Sequence, residues 1–233
     1  MNAILAIETS SGPCSVALEV DGAVDFTHVE APRAHARVLL PTIAELLAAR
    51  DLSISDLGSI IYGQGPGSFT GLRIGCAVVQ GLSWAHDVPA LGVSSLETLA
   101  ERARFEASNA PSTIVAVLDA RMDELYLGAF SVEDGVLVRI MDDQVCAPSR
   151  ARSIVKEILP SAHADALLVG DGLDIAWPEG VDTLRVDLCE PDAMALLRCG
   201  HRHLMTGLGD ARTVQPIYLR DESRWRKQAP SAP

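Results

Sequence analysis

Apolar residues fall into short blocks that recur in the same order twice along the chain. Ile4–Glu8 opens a strand, Cys14–Val20 alternates toward a second, and Asp21-Gly22 is a hairpin turn leading to a third strand near Val24–Val29. The order returns with Thr113–Asp119, Glu124–Val132, the turn Asp134-Gly135, and Val136–Met141. A helical pattern follows each meander, over Ala34–Arg50 and then Ser149–Leu159. A repeated β-β-β-α unit predicts an α/β fold of two related lobes with a cleft between them, although two hairpins can also resemble each other by chance. Phe105–Ser112 marks the boundary. It divides a first lobe, residues 1–106, from a second and more divergent lobe, residues 107–233, whose last helix and tail are expected to pack back on the first.

The stretch between the first two helical patterns stands out. Gly63-Gln-Gly-Pro-Gly-Ser-Phe-Thr-Gly71 follows the apolar run Leu57–Tyr62 and opens into Leu72–His86, which has helical character. Strand, glycine turn and helix N-terminus can together form an anion or nucleotide cradle, with Gly65, Gly67, Ser68 and Thr70 as its candidates. A tight connection packing a helix onto a sheet uses the same residues, and spacing alone favours that plainer reading. Neither Gly-x-x-x-x-Gly-Lys-Ser/Thr nor Gly-x-Gly-x-x-Gly is present.

The helix near Ala34–Arg50 carries Leu39, Ile43 and Leu46 on one stripe and Leu40, Ala44 and Leu47 on another, an apolar face wider than a surface helix needs. Pro41 inside it is expected to kink it. The helix after the glycine turn sets Gly71 and Gly75 on one face near Val78, Val79 and Leu82. Small residues at this spacing serve internal packing more often than an interface. Further on, Pro89–Val93 reads as a strand, Ser94 and Glu97 as a capping box, Leu167–Gly170 as a strand before the turn Asp171-Gly172, and Glu190–Met205 as the last helix.

Composition narrows the classes. Hydrophobic residues are 48% and charged residues 21% of 233, the balance of a soluble globular chain. A net charge of −12 argues against broad, sequence-independent nucleic-acid binding, leaving RNA contact to a local patch or a partner. The scattered Cys14, Cys76, Cys146, Cys189 and Cys199 read as free thiols of a reducing cytoplasm. Met1–Ile7 is too short for a signal sequence, and no apolar run reaches membrane-spanning length.

The candidate chemistry is thin. His201 and His203 are two apart on a predicted helix and point to different sides, so no metal site is expected. No Gly-x-Ser-x-Gly elbow occurs, and Ser68 reads as a helix cap. Glu8 at a strand end suits either a nucleotide-bound metal or a bond to nearby amides. Asp119 and Arg121 read as a local ion pair or a partner contact, and His35 as a solvated or capping residue.

Ile4-Leu-Ala-Ile-Glu-Thr-Ser-Ser11, Gly63–Gly75, Gly92-Val-Ser-Ser-Leu-Glu97, Asp119-Ala-Arg-Met-Asp-Glu-Leu-Tyr126 and Pro216-Ile-Tyr-Leu-Arg220 together resemble the bacterial TsaB (YeaZ) family, with residues 142–186 the divergent part. The resemblance implies an actin/Hsp70-like (ASKHA) fold of two lobes. It implies a part in making N6-threonylcarbamoyladenosine at position 37 of tRNA, as partner of the catalytic paralogue TsaD and alongside the ATPase TsaE. It also implies a non-catalytic role. The paralogue's two metal-binding histidines correspond to Ser95 and Leu99, and two acidic residues of its first loop to Gly12 and Pro13. The expected partner interface comprises Leu39, Ile43, Leu46, Gly71, Gly75, Val78 and Leu82 on the first-lobe helices. The same face is expected to support a homodimer in isolation. No tightly bound cofactor is implied. ATP or ADP would bind weakly or only at an interface, and tRNA would be met only through the complex. The competing readings are an autonomous ATP-dependent phosphotransferase using Glu8 and Gly63–Gly71, and a peptidase, which lacks both a histidine pair and a triad.

Overall fold

In the computed structural model, residues 3–30, 34–107, 110–159, 166–174, 177, 185–186, 190–204, 207 and 209–220 are described. Two five-stranded sheets form the frame. The first contains β1 (Ala3–Glu8), β2 (Cys14–Val20), β3 (Ala23–Val29), β4 (Ser59–Gly65) and β5 (Ala90–Ser94), in the order β3-β2-β1-β4-β5. The second contains β6 (Thr113–Arg121), β7 (Glu124–Glu133), β8 (Val136–Cys146), β9 (Ala166–Val169) and β10 (Arg185–Val186), in the order β10-β9-β6-β7-β8. Read from the other edge, the second order is the first. Each lobe is an antiparallel meander with two parallel strands added on the far side of its first strand. Both meanders turn at Asp-Gly with left-handed φ at each residue (49° and 88° at Asp21-Gly22, 50° and 76° at Asp134-Gly135), the geometry that suits the twist of a two-residue hairpin.

Helices cover both faces of each sheet. α1 (His35–Ala48) and α2 (Phe69–His86) pack on the outer face of the first sheet, meeting Leu5, Ile7, Val16 and Leu18. The alternate residues of the same strands, Ile4, Ala6 and Ala17, face α5 (Ala193–Leu204) through Leu196, Leu197 and Cys199. α3 (Ser95–Glu106) packs on Ile114, Ala116 and Leu118 of the second sheet, and α4 (Pro148–Ile158) on Val115 and Val117 behind it. Period-two alternation in β1 and β6 thus supplies both neighbours of each sheet. α3 and α5 lie against each other, forming the middle layer between the sheets.

Several boundaries differ from the sequence reading. β8 runs to Cys146 rather than Met141, because its pairing with β7 continues through an irregularity near Ala129. β10 has no signal in the sequence pattern. α1 is assigned as one helix through Pro41, which sits on its exposed side. The tail Gln228–Pro233 and Cys189 lie outside the described residues.

The largest correction concerns the interface residues. Leu39, Ile43 and Leu46 are buried in the first-lobe core, so they have no surface to offer a partner. Gly71 and Gly75 are buried too, while Val78 and Leu82 are half-buried against the same core. The wide apolar face of α1 divides: Leu39, Ile43, Leu46 and Leu47 face the sheet, whereas Leu40 and Ala44 face outward.

Candidate functional site: the glycine turn and its surroundings

β4 carries the chain into the glycine turn, and α2 leaves it at Phe69. Gly65 has φ +107°, a conformation side chains rarely adopt, and the Gly65–Pro66 peptide is cis. The other glycines serve proximity. Gly63, Gly67, Gly71 and Gly75 lie so close to Glu8, Thr9 and Ser10 that an added methyl would overlap them. Hydrogen bonds close the same gap. Thr9 Oγ1 donates to the Gly71 carbonyl at 3.0 Å, and the Ser68 amide donates to the Ser10 carbonyl at 2.7 Å. Ser68 caps α2, its Oγ accepting from the Gly71 amide at 3.3 Å. Of the amides a cradle would aim at an anion, that of Ser68 is therefore engaged with Ser10 and that of Gly71 with Ser68 itself. Thr70 is exposed beside them.

Glu8 is buried at the centre of this contact. Its Oε1 accepts from the Ser10 amide at 2.7 Å, and its Oε2 has no partner among the described residues. Burial pushes its carboxyl above the usual range, against the lowering effect of its bonds to Ser10 and Thr9. A proton held on Glu8 stabilises the fold at low pH. That contribution is complete below the ordinary value of 4.5 and is lost as pH rises through the folded value. Glu8→Gln imitates the protonated acid. Its melting temperature relative to the parent is expected to climb between pH 4.5 and 8 in circular-dichroism melts, whereas a constant difference would show that Glu8 does not titrate over that range.

The two positions that the sequence resemblance matches to metal-binding histidines are packed away. Ser95 and Leu99 are wholly buried, with Leu99 in the core between α3 and the second sheet. Around the start of α3 a network of carboxylates and cations joins three elements. Ser94 caps α3 by accepting from the Glu97 amide at 3.2 Å and donates to Asp143 of β8. Arg139 binds Asp143 and reaches Glu97 at 3.1 Å, while His203 at the end of α5 lies 2.7 Å from Glu97. Burial acts to raise the Glu97 carboxyl, but His203, Arg139 and Arg202 together bring it below the usual range. Burial raises Asp143 despite Arg139. This network cements α3, β8 and α5. Nothing local in the sequence announced it, because its members are far apart in the chain.

A C-terminal strap, residues 211–220, passes across the turn. The Ile217 amide donates to the Gln64 carbonyl at 2.7 Å, and Gln215 meets Tyr62. Arg220 then reaches the second lobe, where it binds Glu124 at 2.7 Å and the carbonyls of Ala120 and Arg121 at 3.1 and 3.2 Å. It thereby holds the β6–β7 turn, in which Arg121, Met122 and Asp123 all have left-handed φ. Beside the strap, Arg73 lies 3.8 Å from the Phe69 ring centroid and donates to the Tyr218 hydroxyl at 3.0 Å.

The remaining candidates are accounted for locally. His35 is buried against the Pro13 carbonyl at 3.1 Å, Asp119 pairs with Arg121 at 2.7 Å, and His201 pairs with Glu19 at 2.7 Å. Residues of metal-ligating type converge elsewhere among the described residues, at His28, Glu30 and Glu190, a largely exposed group in which His28 lies 3.1 Å from Glu30. Cys14, Cys76, Cys146 and Cys199 are free thiols, and burial pushes Cys14 and Cys76 up to about 11. No helix among the described residues is long and apolar enough to cross a membrane.

Two sheets of like topology, each faced by helices on both sides, with a turn and strap where the lobes meet, define an actin/Hsp70-like α/β protein. The TsaD family model, described as tRNA N6-adenosine threonylcarbamoyltransferase, matches residues 29–178. The solved structure of YeaZ from Pseudomonas aeruginosa is similar, with a TM-score of 0.84 and 34% identity, covering 94% of this chain and all 100% of that one. The tRNA threonylcarbamoyladenosine biosynthesis protein TsaB of Escherichia coli is 33% identical over 231 residues, 96% of this chain and 97% of its own length. That of Haemophilus influenzae is 33% identical over 237 residues, 96% of each. The chain belongs to the TsaB (YeaZ) family.

Proposed function

We propose that this chain serves in the biosynthesis of threonylcarbamoyladenosine on tRNA as a non-catalytic subunit that binds a TsaD-like catalytic protein. The observation that carries this reading is the fate of the ligand positions. Leu99 is core, Ser95 is sealed beside it, and Glu8 is buried against Gly63, so the groups a reactive centre would present are committed to packing. A phosphotransferase using Glu8 and the glycine turn draws no support from a carboxyl enclosed in this way.

The docking face assigned to the partner is the outer side of α1 and of α2 from Ala77 onward, where Leu40 is 49% and Trp84 73% exposed, with Ala44 and Ala77 also exposed. Large apolar side chains left in water on one surface mark an interaction site, and the same face would pair two copies when the catalytic protein is absent. A TsaE-like ATPase would join the assembled pair, and ATP or ADP would be held at a subunit boundary if at all. The free thiols suit a reducing cytoplasm.

Mixing the chain with its organism's TsaD-like protein is expected to convert a homodimer into a heterodimer in light-scattering chromatography. Only the mixture, supplied with threonylcarbamoyl adenylate, should modify tRNA. Transfer by the isolated chain, or a monomer that ignores the catalytic protein, would overturn the reading.

A further inference from the structure

Charge is unevenly spread on this molecule. The chain has 31 acidic residues, yet none lies in Gly63–His86 or in Ala211–Arg220, the glycine turn with α2 and the strap beside it. Where these two segments touch, the partly exposed side chains of Phe69 (52%) and Tyr218 (43%) set their ring centroids 5.5 Å apart with planes 39° apart, and the Arg73 guanidinium lies over one face of the Phe69 ring. Arg73 is fixed between them, 3.8 Å from one centroid and 5.9 Å from the other. Among the described residues no carboxylate pairs with Arg73. Asp221 and Glu222 follow the strap directly in the chain; across the strap, Glu124 is matched by Arg220 and Asp119 by Arg121.

We infer that Phe69, Arg73 and Tyr218 form a contact site for single-stranded RNA, a base stacking on the exposed rings and a neighbouring phosphate meeting the guanidinium. This rests on the proposed function, in which the RNA is the tRNA held by the catalytic partner. It replaces the expectation that tRNA meets this chain only through the complex. Exposed aromatic rings with a cation fixed beside them are the chemistry that holds unpaired nucleotides without sequence preference. The excess negative charge elsewhere repels phosphates and confines contact to the acid-free patch. Trp84 lies fifteen residues beyond Phe69 along α2, roughly 22 Å at the helical rise, while Ala77 is one turn beyond Arg73, so the patch adjoins the near end of the docking face.

The test titrates fluorescein-labelled tRNA with the heterodimer, reading anisotropy at several salt concentrations. Phe69→Ala with Tyr218→Ala is expected to weaken binding about tenfold or more, the loss typical of a removed stacking partner. Arg73→Ala should reduce the slope of log affinity against log salt by about 0.7 to 0.9. Unchanged affinity and slope in an intact heterodimer would overturn the inference. Variants that dissociate the subunits while the remaining complex keeps its RNA affinity would also overturn it, marking the patch as a protein contact. If the parent chain forms no heterodimer, the proposed function fails first. Ultraviolet crosslinking of tRNA to the full chain alone then decides this inference, supported by adducts at Phe69 or Tyr218 and overturned by adducts elsewhere or none.

Discussion

A Gly71→Val variant is expected to be destabilised by about 3 kcal/mol or more and to melt about 6–12 °C below the parent. Gly71 is pressed against the Thr9 carbonyl oxygen, and the Thr9 hydroxyl binds the Gly71 carbonyl at 3.0 Å. Both sides of the contact are backbone of buried elements, so no side chain can rotate away to make room. Overpacked interiors pass such strain on, and here it would part α2 from the end of β1. Differential scanning calorimetry measures it. A melting temperature within 2 °C of the parent (an estimate of the smallest shift worth counting) would mean the helix slides freely, and the glycine turn would then need another explanation.

A second large effect is expected at the docking face. Trp84→Glu should weaken the heterodimer by about 2–4 kcal/mol, roughly 30- to 1,000-fold, with little change in the stability of the chain, because the indole is 73% exposed. Leu40→Glu should act in the same direction more mildly. Isothermal titration against the TsaD-like protein reads both. Charge at Ile43 is a poor test, since that side chain is core and its replacement by an acid would unfold the lobe before any interface was probed. Full affinity in the Trp84 variant would move the docking face off α2.

The frame was largely legible in the sequence for a physical reason. Asp21-Gly22 and Asp134-Gly135 are local signals, each needing only two residues to dictate a hairpin, and Ile4–Glu8 and Thr113–Asp119 announce themselves by continuous apolar character. Ser94 before Glu97 marks the start of α3 equally well, with its hydroxyl accepting from the Glu97 amide. What the Glu97 side chain does was not legible. Its acid meets Arg139 and His203, partners that only the tertiary fold brings together. The facing of α1 was misjudged because Leu39 and Leu40 are equally apolar, and hydrophobicity alone does not say which of two adjacent stripes meets a sheet. Trp84 carried a usable signal. It stands well around the helix from the stripe Leu72, Cys76, Val79 and Ser83 that α2 buries, so its exposure follows from helical periodicity. Phe69, three residues before Leu72, falls on the stripe's own side and owes its exposure to its place as the first residue of α2.

The placement of α5 bears on how this polypeptide is born. Ile4, Ala6, Ala17, Ile61 and Val93 emerge from the ribosome before Leu196 and Leu197, which roof them and follow Val93 by more than a hundred residues. The first sheet must therefore wait with one greasy surface bare until α5 is made, the period in which a chaperone has something to hold. Premature termination anywhere before α5 would leave that surface permanently naked, and the fragment would be fated for aggregation or the protease.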